Sequence, residues 1–141
     1  MAITTNAICN SFKKELLEGK HNFSQTSGDQ FKLALYTNSA SIGKSTTSFT
    51  TDNQVGASGQ YTSGGGKLAK GSQNTSVATN TAIVDFADRS FTGVTITARG
   101  ALIYNTSNSN SAVCVLDFGG DKTATAGTFT IQFPAFTTSA A

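Results

Sequence analysis

Apolar and polar residues alternate along several short runs of this chain, and a period of two is typical of β-strands with one buried and one wet face. The clearest runs lie within residues 95–134 and read TITARGALIYN, AVCVLDFGG and GTFTIQFP. Turn-rich breaks at residues 105–111 and 119–127 separate them, so the pattern predicts a three-stranded antiparallel meander. Further strands are predicted at residues 31–37, 82–86 and 91–97, and weakly within 67–79. The predicted fold is mainly β, an antiparallel β-sandwich or barrel-like domain with one N-terminal α-helix.

The same alternation predicts the core, because residues two apart in a strand share a face. Strands with one wet face bury every second side chain and expose the others to solvent. The side chains predicted to be buried are Phe31, Leu33, Leu35, Ile83, Leu102, Tyr104, Val113, Val115, Phe129, Ile131 and Phe133.

The chain opens with a helical pattern over residues 5–18, in which Ile8, Phe12 and Leu16 recur at intervals of four. Thr4 or Thr5 can cap its start, and a glycine at position 19 is placed to end it. The apolar stripe must pack on something, either the chain's own sheet or a neighbouring subunit.

Its length of 141 residues predicts a single domain, with the β region over residues 30–135 and a flexible tail at 136–141.

Residues 38–66 form the least regular part of the sequence, rich in Ser, Thr and Gly with isolated apolar residues. So long a connection is uncommon in a compact domain unless it is functional or ordered by a partner. Deleting Ser45–Ala57 is accordingly expected to leave the fold intact and to abolish partner binding. The predicted partner-binding residues, with one from the tail, are Ser45, Phe49, Asn53, Val55, Tyr61 and Phe136.

Charge and hydropathy narrow the classes of partner. The net charge is only +2 and the lysines are scattered, so no basic stripe for nucleic acid is present. No apolar run approaches the length that crosses a bilayer, which argues against a membrane partner.

No string in the sequence matches a catalytic, metal or cofactor motif. SIGKST at residues 41–46 lacks the first glycine and the following helix of a phosphate-binding loop. DFGGD at residues 117–121 matches no catalytic motif and predicts a hairpin turn, in which Gly119 and Gly120 supply positive φ. His21 is the only histidine, and Cys9 and Cys114 lack metal-ligand spacing, so they are expected to be reduced thiols. We therefore predict no catalytic residue, metal or cofactor, and a non-enzymatic protein.

Arg99 lies within an apolar strand and needs a carboxylate partner there. Asp85 and Asp117 are the candidates, and a subunit contact is the alternative.

Five strings carry a resemblance: NAICNSFKKELLEGKHNF, FKLALYT, ARGALIYN, VLDFGGDKT and GTFTIQFP. Together they span most of the chain, which resembles a family of small structural proteins of tailed bacteriophages. The resemblance implies a virion component that is assembled in the bacterial host cytoplasm.

Within a virion, a small β-rich protein suits a capsid decoration (cement) protein, with the major capsid protein and copies of itself as partners. The alternative is a tail or fibre component, or an adhesin, contacting host surface glycans.

Overall fold

A computed structural model of the chain describes residues 3–78 and 80–134, apart from the side chains of residues 71–74 and 78. The prediction of a mainly β, antiparallel fold with one N-terminal helix is confirmed. Five strands form one sheet in the order β1-β7-β6-β2-β3, and two strands form a separate hairpin, β4-β5. The elements are β1 (Ala7–Ile8), α1 (Asn10–Leu17), β2 (Phe31–Tyr36), β3 (Gly66–Lys67), β4 (Lys70–Ala78), β5 (Thr81–Phe86), β6 (Arg89–Asn105) and β7 (Ser111–Ile131). The predicted tail at 136–141 lies outside the described residues.

Helix α1 is shorter than predicted, because the residues before it form a strand. Ala7 and Ile8 pair with Val115 and Cys114 of β7, so the helix starts only at Asn10 and no threonine caps it. It ends as predicted, with Gly19 at φ 71°. Of the predicted stripe only Phe12 is buried. The stripe is therefore narrower than the sequence pattern indicated.

Strands β6 and β7 form one long antiparallel ribbon of 17 and 21 residues. The predicted turn after Asn105 joins them, but the predicted hairpin at Gly119 and Gly120 is wrong. Strand β7 runs straight through this segment and bulges there, since the pair Ala98–Lys122 is followed by Gly100–Asp117. Of the two glycines only Gly119 has positive φ, at 78°. The last predicted run therefore pairs with the start of β6 instead of turning back on its neighbour.

The central part of the sheet is covered on both faces. Leu33 pairs with Ile103 on one face, Ala34 pairs with Leu102 on the other, and all four side chains are buried. The expectation of one wet face is wrong here. It holds in the first half of β6, where buried and exposed residues alternate through Val94–Ala98, and at the end of β7 over residues 128–131.

Aromatic rings provide much of the cover on the two faces. On one face Phe31 stacks on Phe23, with ring centroids 4.5 Å apart, and lies 5.7 Å from Phe86. On the other, the ring of Phe49 stacks on Tyr104 at 4.7 Å. The loop after α1 thus covers one face of the sheet and the segment 38–66 covers the other. The start of α1 contacts that segment, since the Asn10 N–H donates to the Lys44 carbonyl at 2.8 Å.

The core prediction is confirmed for most positions. Of the predicted core residues, all are buried except Ile83 and Phe133, which are half-buried. The buried apolar side chains form one cluster that reaches from Ile3 to Ile131.

Two polar groups within the fold are paired. Arg99 binds Asp117, one of its two predicted partners. The pKa of Asp117 is lowered, mostly by the hydrogen bond from the Gly119 backbone N–H and further by Arg99. The side chain of His21 is fully buried; its Nε2 lies 3.1 Å from Glu15 Oε2 and its Nδ1 lies 2.9 Å from Asn105 Nδ2. The first pair joins β6 to β7, and the second connects α1 and the residues after it to β6.

Candidate interaction surface

The predicted partner-binding residues do not form one surface. Ser45 and Asn53 are exposed, Phe49 is half-buried on Tyr104, and Val55 and Tyr61 are buried. The prediction of partner contact through Val55 and Tyr61 therefore needs correction. Phe136 lies outside the described residues.

The segment 38–66 is ordered by the protein itself, because it closes the edge of β2 beyond the short strand β3. The Val55 N–H donates to the Leu35 carbonyl at 2.9 Å, and Tyr61 Oη accepts from the Leu35 N–H at 2.8 Å. The Thr50 carbonyl accepts from Tyr36 Oη at 2.6 Å. These contacts overturn the argument that an external partner orders the segment. Deleting Ser45–Ala57 would remove buried Val55 and the Phe49 ring that stacks on Tyr104, so we now expect the deletion to destabilise the fold and not to leave it intact.

An exposed apolar surface lies on the β4–β5 hairpin, which we call the arm. The arm shares no ladder with the five-stranded sheet in the described residues. Val77 is 70% exposed and Val84 is 46% exposed. Since Thr75 pairs with Val84 and Val77 pairs with Ala82, the two valines lie on one face.

The sequence of the arm carries no charge from Gly71 to Val84. Proteins usually blunt an exposed strand edge with lysine, proline or a bulge, because open N–H and C=O groups pair with other chains. Here the edges carry threonine, serine and alanine. The arm lacks charge and proline from Gly71 to Val84, and its ladder has a register shift between Lys70 and Thr75.

The base of the arm is fixed to the body of the protein. The Phe86 ring lies 5.7 Å from Phe31 and 6.0 Å from Phe133, and Lys70 Nζ donates to the Ser24 carbonyl at 2.5 Å. The Ala87 N–H donates to the Ala69 carbonyl at 2.9 Å. The arm thus projects from an anchored base, with its apolar face uncovered.

A second open feature lies on β7. Strand β1 pairs only with Cys114 and Val115, so the outer edge of β7 from Leu116 to Ile131 has no strand partner in the part of the chain that the structure describes. A groove of about 530 Å³ runs along this edge, and we call it the β7 groove. Its apolar floor includes Leu116, Phe118, Phe129 and Ile131, and its rim includes Thr128 and Gln132.

Helix α1 exposes another apolar patch. Leu17 is 91% exposed, and Leu16, a member of the predicted apolar stripe, is 45% exposed. The salt bridge between Lys14 and Glu18, at 2.9 Å, lies on the same helix. This helix is a second candidate for contact with a neighbour, as the sequence left open.

The titratable groups offer no assembled chemistry within the described residues. There, no three His, Cys, Asp or Glu side chains lie close enough to hold a metal ion, and no helix is long and apolar enough to cross a membrane. Burial raises the pKa of the Cys9 thiol to about 11 and that of Cys114 to about 12, so both stay protonated at neutral pH. Both cysteines are free, as predicted.

Sequence reasoning missed both the arm and the β7 groove. The arm could have been found from the missing charge between Lys70 and Asp85, a signal that periodicity does not report. The groove could not, because it depends on a long-range pairing that leaves one edge of β7 open. Comparisons with family models, curated proteins and solved structures found no match to the chain.

Proposed function

We propose that this protein is a structural component of a tailed bacteriophage virion, and that it decorates the capsid shell by binding the major capsid protein and copies of itself. The observation that carries the proposal is the arm, an uncharged two-stranded hairpin with an uncovered apolar face. The resemblance of the sequence to small virion proteins supports the setting.

The physical argument concerns the stability of the arm. A two-stranded hairpin is at best marginally stable in water and needs a third strand or a packed face. Covering the exposed Val77 side chain stabilises a complex by about 25 cal/mol for each Å² of apolar surface removed from water. A modest contact of this kind suits a protein present in many copies, since repetition multiplies weak contacts.

Copy number tests the proposal. Particles of the encoding phage are purified, and the chain and the major capsid protein are quantified by mass spectrometry with isotope-labelled peptides. For a decoration protein, the number of copies of this chain in each particle should be close to the number of its binding positions on the shell. Shells assembled without this chain should still form. Absence of the chain from the particles contradicts the proposal.

The same measurement separates the alternative, a tail or fibre component that binds host glycans. A tail-tip protein is present in a few copies for each particle, far below the shell. Exposed Ser45 and Asn53 on the segment 38–66 would be its contact residues. A low copy number, together with retention of the purified chain on host surface glycans, would favour this alternative over the shell.

A further inference from the structure

The geometry points to an exchange between copies: we propose that the arm of one copy pairs with the open edge of β7 in a second copy, with Val77 and Val84 seated in the β7 groove. This inference deepens the proposed function, because it identifies the surfaces through which copies contact each other. It is testable in solution without a virion.

Strand length fits the pairing. Strand β5 has 6 residues and β7 has 21, of which β1 occupies only two positions. A six-residue strand spans roughly 20 Å, which is shorter than this edge. Along the edge, the Asp117 N–H already donates to Asn6 Oδ1, and the register with β6 shifts at three places after Leu116. Added as further strands, it would satisfy backbone groups on both partners at once.

Charge also fits. The arm is neutral from Gly71 to Val84, and the groove contains two charged residues, Asp117 and Lys122. Asp117 already binds Arg99, so docking an apolar face there leaves no new carboxylate without a partner. Lys122 is exposed and can keep its ammonium in water along its flexible stem.

The two surfaces also have a similar chemical character. The floor of the groove is formed by leucine, phenylalanine and isoleucine side chains, and the arm offers two valines and an alanine on one face. Threonines surround both, which is the pattern of an apolar centre with a polar rim. Because donor and acceptor are different surfaces, each copy can give one arm and receive another, and the contact is heterologous.

Two variants block one surface each. Val77→Lys with Val84→Lys places charge on the arm, where both side chains already contact water, and Thr128→Lys places charge on the exposed rim of the groove. Controls are Leu17→Lys, an equally apolar exposed residue on α1, and Thr125→Lys, an exposed residue of β7 outside the groove. Circular dichroism verifies the fold of every variant.

Molar mass is measured by light scattering over a range of concentrations. We expect the wild type and both controls to self-associate, and each blocking variant to weaken association at least about tenfold in Kd. An equimolar mixture of the arm variant and the groove variant should recover a two-chain complex, because one intact arm meets one intact groove. This recovery is specific to heterologous exchange.

Three results would overturn the inference. One is a wild-type chain that stays monomeric at every soluble concentration. Another is a groove variant that associates like the wild type while the arm variant does not, which would mean that arms pair with each other. The last is an arm variant that associates normally but is lost from particles, which would assign the arm to the capsid protein. Failure of the proposed function is distinct, since it would appear as absence from particles with association in solution intact.

Discussion

Replacing Tyr61 with phenylalanine tests how the segment 38–66 is held on the sheet. The Tyr61 ring is fully buried and lies 5.1 Å from the ring of Phe91 in an edge-on arrangement. Its hydroxyl accepts a hydrogen bond from the Leu35 N–H at 2.8 Å and lies 3.1 Å from Gln54 Oε1. The phenylalanine ring fills the same space, so the change removes the hydroxyl and little else.

The expected loss of unfolding free energy depends on which groups lose their hydrogen-bond partner when the hydroxyl is removed. In Tyr61→Phe the Leu35 N–H loses its acceptor at a fully buried position, whereas Gln54 Oε1 keeps the Gly64 N–H as a donor at 2.6 Å. An orphaned buried donor costs about 1–3 kcal/mol. For a domain of this size that loss lowers Tm by roughly 3–15 °C.

Tyr36→Phe is the matched control. The Tyr36 hydroxyl donates to the Thr50 carbonyl at 2.6 Å, at the partly buried end of the same segment. Its loss leaves an acceptor near water instead of a buried donor, so we expect a cost of about 0.5–1.5 kcal/mol. Urea unfolding followed by far-ultraviolet circular dichroism gives both free energies. Equal losses for the two variants would refute the assignment of Tyr61 as the closing partner of β2.

Two further predictions concern backbone crowding and alkaline pH. Gly65→Ala should prevent folding, because φ is 76° and a Cβ would overlap the Leu33 carbonyl, while Gly19→Ala at φ 71° meets no atom within 4 Å and should cost only about 1–2 kcal/mol in thermal melts. Burial raises the pKa of Tyr61 from 10.0 to about 12 and that of Cys9 from 9.0 to about 11, so stability should be full below pH 9 and fall as the pH rises to 12. A urea midpoint that stays constant over this window would contradict the assigned burial.

Local patterns predicted the elements whose neighbours lie close in sequence. The turn after Asn105 and the end of α1 at Gly19 followed from residue types that set the backbone directly. The alternation also identified Phe31, Leu33 and Leu35 as core residues. It underestimated the burial of Ala34 and Tyr36, because the layer that covers them comes from a segment without periodicity of its own.

The bulge in β7 shows why topology was harder to predict. Two glycines followed by an aspartate fit a hairpin turn and a strand bulge equally well. The choice between turn and bulge depends on the pairing of the residues after the bulge with Arg89–Ala98 of β6, which lie far away in sequence. Sequence spacing alone does not contain that choice, and the open edge of β7 is its direct result.

The segment 38–66 and the arm received the wrong roles for the same reason. Isolated aromatic residues in a polar segment indicated an external partner, yet Tyr61 and Phe49 contact the sheet of their own chain. The arm was predicted as two ordinary strands, weakly within residues 67–79 and at 82–86, but its own chain leaves Val77 70% exposed. Apolar side chains that remain uncovered after folding are the better sign of a contact surface, and by that criterion the arm and Leu17 of α1 are the candidates.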